Sequence, residues 1–150
     1  MHSLERTTNR KTAFIGLGNR DRGDDAVGLR FVEDLRHLNP SHFFSEEQGL
    51  EKAVLEIISR KDIDHVVFVD VCDIGSGPGE IAFLETDSVG EEITTHKVPL
   101  SVLMALIRKE GKKAHLVGIQ PKSLDFGKDV SMVADASLKR IEDVIERKLR

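Results

Sequence analysis

Two periods of apolar residues alternate along this 150-residue chain. Short runs rich in β-branched and aromatic side chains, at residues 12–17, 43–44, 66–71 and 114–119, read as strands. Between them, apolar side chains recur at helical spacing. Val27, Phe31, Val32 and Leu35 mark one helix within 24–38, ended by Asn39-Pro40, and Leu50, Val54, Leu55, Ile57 and Ile58 mark a second over Leu50–Ser59. Leu100, Leu103, Met104 and Ile107 give a third, opened by Pro99 and closed by Gly111. Leu138, Ile141, Val144 and Ile145 supply the inward face of a terminal helix over 131–149. The Gly/Pro turn IGSGPGE after Asp73 leads to a further strand at 81–84. The link from Asp70 is too short for a crossover helix, so that strand is expected to lie antiparallel to its neighbour.

Strands alternating with helices predict an α/β fold: a single-domain three-layer αβα sandwich, with a mostly parallel twisted sheet of about five strands covered on both faces. Residues 12–150 are expected to form that domain, and the polar, aperiodic residues 1–11 a flexible tail.

The stretch FIGLGNRDRGDDAVG, from Phe14 to Gly28, joins the first strand to the first helix. In an open α/β sheet such a junction lies at the carboxyl ends of the strands, where ligands bind. Gly16 and Gly18 fit the first two positions of a dinucleotide-binding G-x-G-x-x-G loop, but the third falls on Asp21, and no G-K-[ST] follows Gly23. Asp24 and Asp25 would repel a phosphate, so the loop suits a metal or another cation better than a nucleotide. Alternatively, Asp24 is a helix N-cap and Asp25 a first-turn acid, both common roles for Asp.

Composition narrows the field. One cysteine excludes an intramolecular disulfide framework and fits a reducing compartment. The apolar runs are too short to span a bilayer, and the polar start MHSLERTTNRK does not resemble a signal peptide, so a cytoplasmic location is expected. A net charge of -4 with no Trp or Tyr gives neither a basic field nor stacking side chains for nucleic acid.

Three strand ends carry the candidate chemistry. Asp25 follows the first strand, Asp70 ends the most apolar one, and His96 precedes the third helix. A carboxylate closing a buried strand needs a cation or donors, which makes Asp70 the most informative of the three. Together two carboxylates and an imidazole suit a divalent ion of borderline hardness, with positions left for substrate. Backbone donors for Asp70 and a capping or plain loop role for His96 are the alternatives. Cys72 could pair with His96 as a nucleophile, or simply pack. Glu46 and Glu47 lie where they could meet substrate. His37, His42, His65 and His115 lack ligand spacing and are expected at the surface, and Arg108, Lys109, Lys112 and Lys113 on a solvated helix end.

Four separated blocks, GLGNRDRGDDAVG from Gly16, VFVDVCDIGSGPGEI from Val67, ITTHKVPLSVLMAL from Ile93 and LVGIQP from Leu116, resemble the hydrogenase maturation endopeptidases. These proteins trim the large subunit of nickel–iron hydrogenases. The resemblance runs from Phe14 to Asp129, and its order and spacing carry the match. It implies a single α/β domain whose site is formed by Asp25, Asp70 and His96, serving both as metal contacts and in catalysis. It implies too that nickel arrives in the precursor rather than staying in the peptidase, and that a C-terminal extension of the precursor is released. Gly16, Gly18, Asn19 and Gly28 would shape the loop. Two departures stand out. Several relatives carry Glu where this chain has Asp25, and many have a glycine pair in the region of Gln48-Gly49, so this surface is expected to differ from theirs. Which carboxylate acts as base stays open, as does the choice between metal-assisted water attack and an acid–base route through paired carboxylates. A non-proteolytic metal-dependent binding or chaperone module is the alternative function on the same scaffold.

Overall fold

The computed structural model describes residues 1–85 and 99–150. Five strands form one sheet: β1 (Thr12–Gly16), β2 (Phe43–Ser45), β3 (His65–Val71), β4 (Ile81–Glu85) and β5 (Lys113–Ile119), in the order β2-β1-β3-β5-β4. All pairings are parallel except β4 with β5. The antiparallel strand is therefore present as expected, at the edge of the sheet against β5.

Helices α1 (His2–Thr7), α2 (Val27–Leu35), α3 (Leu50–Ser59), α4 (Leu100–Lys109) and α5 (Met132–Leu149) cover both faces. Strand side chains alternate between the faces, so two cores arise. Phe14, Val67, Val69, Val117 and Ile119 pack with α1, α2 and α5, and Ile15, Val66, Phe68 and Leu116 with α3 and α4. In the first core Phe14, Phe31 and Phe43 meet with ring centroids 5.0 to 5.9 Å apart.

Residues 1–11 are not the tail their polarity predicts. Residues 2–7 form α1, whose Leu4 is 1% exposed in the core beside α5, and Arg10 donates to the Leu149 carbonyl at 2.6 Å. One buried leucine per short helix leaves no periodicity to detect, although it suffices to dock the segment.

Other polar residues also go inside. His42 is 5% exposed, its Nε2 3.2 Å from the Asp62 carbonyl, and the His65 and His115 rings stack at the amino-terminal end of the sheet with facing nitrogens 3.3 Å apart. Burial pushes the His115 imidazole down to about 4. Lys112 is tucked in rather than solvated, its Nζ donating to the Arg60 and Ile63 carbonyls.

Glu142 on α5 is 4% exposed and faces Asp34 of α2, with Lys139 Nζ 3.5 Å away. Burial, reinforced by Asp34, raises its pKa from 4.5 to about 8 despite Lys139. The folded protein thus holds a proton that the unfolded chain releases. Glu142 favours folding fully below its ordinary pKa, and that contribution is lost as pH rises through about 8. Glu142→Gln is expected to raise the melting temperature by a few degrees at about pH 9 and to leave it unchanged near pH 5. Equal shifts in thermal melts at the two pH values would contradict this assignment.

Candidate functional site

The chain leaves β1 at Gly16, and the Leu17 N–H still bonds the Val69 carbonyl of β3 at 2.9 Å before the loop turns over the strand ends. Gly18 has φ 137 and sits against the Asp25 backbone, a placement open to glycine. Its N–H donates to Glu46 Oε1 at 2.8 Å, tying the loop to the end of β2. Asn19 Oδ1 accepts from the Asp21 N–H, and the Asn19 N–H donates to the Asp25 carbonyl, so Asn19 folds the loop back on the acids. The helical start is a tight 3-10 turn over Gly23–Ala26, which packs against β3 and leads into α2.

The two adjacent acids have different surroundings. Asp24 is fully buried. Its Oδ2 accepts from the Lys122 N–H (2.8 Å), the Ser123 N–H (3.3 Å) and the Ser131 hydroxyl (2.9 Å), and its Oδ1 from the Ser131 N–H (2.6 Å). It is not an N-cap but a latch between the first loop and the segment entering α5. Partners 98 to 107 residues downstream leave no local trace in the sequence. Asp25 is 3% exposed, with Arg22 Nη1 3.9 Å from its Oδ2.

Asp70, fully buried near the end of β3, accepts the Val71 N–H at 2.8 Å on Oδ1. Parallel registry puts the ends of β1, β2, β3 and β5 at one edge, so Asp25, Glu46 and Asp70 all belong to that edge. His96 lies outside the described residues. Among the described residues no three His, Cys, Asp or Glu side chains stand together as a metal cluster.

The remaining candidates separate clearly. Glu47 is held by Arg20, whose Nε and Nη2 donate to its carboxylate at 2.7 and 2.8 Å, and this pairing lowers the Glu47 pKa. Cys72 is 1% exposed, and its Sγ occupies the space a side chain at Gly118 would need. Burial, with the nearby Asp70 charge, pushes its thiol far up, the opposite of an activated nucleophile. Its role is packing.

An open α/β sheet with buried carboxylates at its carboxyl edge is the architecture of a domain that binds its ligand beyond the strand ends. Comparison with known proteins identifies which. A model of the hydrogenase maturation protease family, HycI, matches residues 50–148. The Hydrogenase 3 maturation protease of Escherichia coli is 26% identical over 117 residues, 75% of this chain and 74% of its own. The crystal structure of a NiFe hydrogenase maturation protease HycI from Thermococcus kodakarensis superposes with a TM-score of 0.83 at 28% identity, covering 98% of each chain. The E. coli endopeptidase HycI, at 22% identity and a TM-score of 0.79, shares the fold. The chain belongs to the hydrogenase maturation protease family, and it is a peptidase.

Proposed function

We propose that this peptidase removes the C-terminal extension of a nickel–iron hydrogenase large-subunit precursor after nickel insertion, in the cytoplasm, and that Asp25, Asp70 and His96 recognise the nickel the precursor carries. The observation that supports this most directly is the placement of two buried carboxylates, Asp25 and Asp70, at one sheet edge of a chain in this family. Carboxylate oxygens and an imidazole nitrogen together suit nickel, and the metal belongs to the substrate rather than to the peptidase.

The chain's own residues do three things in this scheme. Gly18 and Asn19 hold the loop so that Asp25 keeps its place above β3. The two carboxylates orient the precursor's metal and with it the neighbouring peptide bond. One of them, freed from the metal, takes the proton of the attacking water. Reading the substrate's metal also serves as a checkpoint, because a precursor without nickel lacks the contacts that align its tail.

The deciding measurement is mass spectrometry of purified large-subunit precursor, loaded with nickel or free of it, after incubation with the peptidase. Shortening of the nickel-loaded form alone is the expected result. Equal shortening of both forms would overturn nickel recognition. Binding of the loaded precursor without cleavage would favour a non-proteolytic module and overturn the substrate assignment.

A further inference from the structure

Among the described residues β2 is an edge strand, paired with β1 on one side. The registers Phe14↔Phe43 and Gly16↔Ser45, with the alternation of a parallel ladder, turn the Phe44 backbone toward β1 and the Phe43 and Ser45 backbones outward. Consistent with that, the Ser45 N–H donates outward to Gln48 Oε1 at 3.4 Å in a capping box, which leaves the Ser45 carbonyl and the Phe43 backbone as the groups for an added strand. Along this outward edge runs a groove of about 400 Å³, bounded by Arg36 beyond α2, by Phe43 and Phe44, and by Gln48, Lys52 and Glu56 at α3. Helices flanking an open strand edge make the setting in which an extended peptide adds as a further strand.

The walls indicate what kind of peptide. The Glu56 carboxylate is engaged by Arg60 at 3.0 Å, whereas Arg36 and Lys52 have no acidic partner among the described residues. The groove is therefore cationic toward its occupant, and it is continuous with the candidate site, because β2 runs directly into Glu46, which holds Gly18. We propose that the β2 edge groove binds an extended, acid-bearing stretch of the polypeptide being cleaved, by strand addition to the Phe43 backbone and the Ser45 carbonyl. The proposal rests on the peptidase acting on a precursor chain.

Sheet geometry sets the spacing. From an added strand across β2 and β1 to β3 is three inter-strand steps, roughly 14 Å, which an extended chain covers in about four residues. The groove thus anchors residues about that far from the bond near Asp70, and it acts on affinity more than on chemistry.

The test uses the full-length protein, labelled for amide NMR, and a synthetic peptide spanning the processed bond of the precursor. Shifts at the Phe43, Ser45 and Lys52 amides are expected, with about tenfold weaker binding to the Arg36→Glu, Lys52→Glu double variant. Peptides N-methylated at alternate residues should divide by register, one register losing binding and the other keeping it. Equal binding by both registers, or shifts that spare β2, would overturn strand addition. If precursor is still cleaved in that case, the peptidase assignment stands and only the groove falls. Binding at β2 with no precursor cleavage would uphold the groove and count against the substrate assignment.

Discussion

Asp24→Ala is expected to destabilise the fold by about 3 to 5 kcal/mol, while Asp25→Ala, one residue later, should leave the melting transition near that of the wild type. The reason is what each carboxylate leaves behind. Removing Asp24 strips acceptors from the Lys122, Ser123 and Ser131 N–H groups and from the Ser131 hydroxyl, in a site with no exposure. The acceptor is a fully buried carboxylate and the donors are part-buried, so these are charge-assisted bonds, stronger than neutral ones, and the alanine leaves four donors without them. For a chain of this size that corresponds to a fall in melting temperature of ~10 °C. Asp25 faces the proposed site, and its removal should instead lower cleavage by about 100-fold or more. Denaturant melts and a cleavage assay on both variants separate the two roles. If Asp24→Ala melts like the wild type, the latch carries no weight. If Asp25→Ala cleaves normally, Asp25 lies outside the site.

The two acids also show what a sequence can and cannot disclose. The helices and strands were legible because their apolar periods are strong: Leu50–Ser59 reads and folds with identical bounds. The carboxyl-edge location of Asp25 and Asp70 was legible for a related reason, since Asp25 follows β1 and Asp70 closes the apolar run of β3, and both runs are easily seen. What local pattern could not supply was the difference between Asp24 and Asp25, because it depends on donors from a segment about a hundred residues away. The same blindness applies to α1, docked chiefly through Leu4, and to Lys112, whose carbonyl acceptors at Arg60 and Ile63 belong to another turn. It applies equally to Glu46, whose bond to Gly18 joins two loops that the sequence keeps apart. Tertiary partners fixed these roles, and propensity had no part in them.

Gly28→Ala is expected to be among the most damaging conservative substitutions in the described residues, lowering stability by about 3 kcal/mol and cleavage by about 100-fold. A Cβ at Gly28 would lie 2.1 Å from the Leu17 oxygen, 2.5 Å from the Val69 oxygen and 2.7 Å from the Leu17 nitrogen. All three atoms are backbone, so no rotamer change can relieve the clash. Gly16 faces the same junction, where an added Cβ would meet the Gly28 oxygen at 2.0 Å. The amino end of α2 is therefore pressed directly onto the ends of β1 and β3, and an alanine must lift it away. Because Asp25 sits on the turn that opens α2, that movement also carries Asp25 away from Asp70, and displacements of about 1 Å at a reacting site cost on the order of 100-fold in rate. Gly77→Ala provides the control, since a Cβ there meets nothing within 4 Å, and its effect should stay within about 0.5 kcal/mol. Thermal melts and cleavage rates on the two alanine variants decide the matter. If they are indistinguishable, the close approach of helix to sheet is not what sets the distance between the carboxylates.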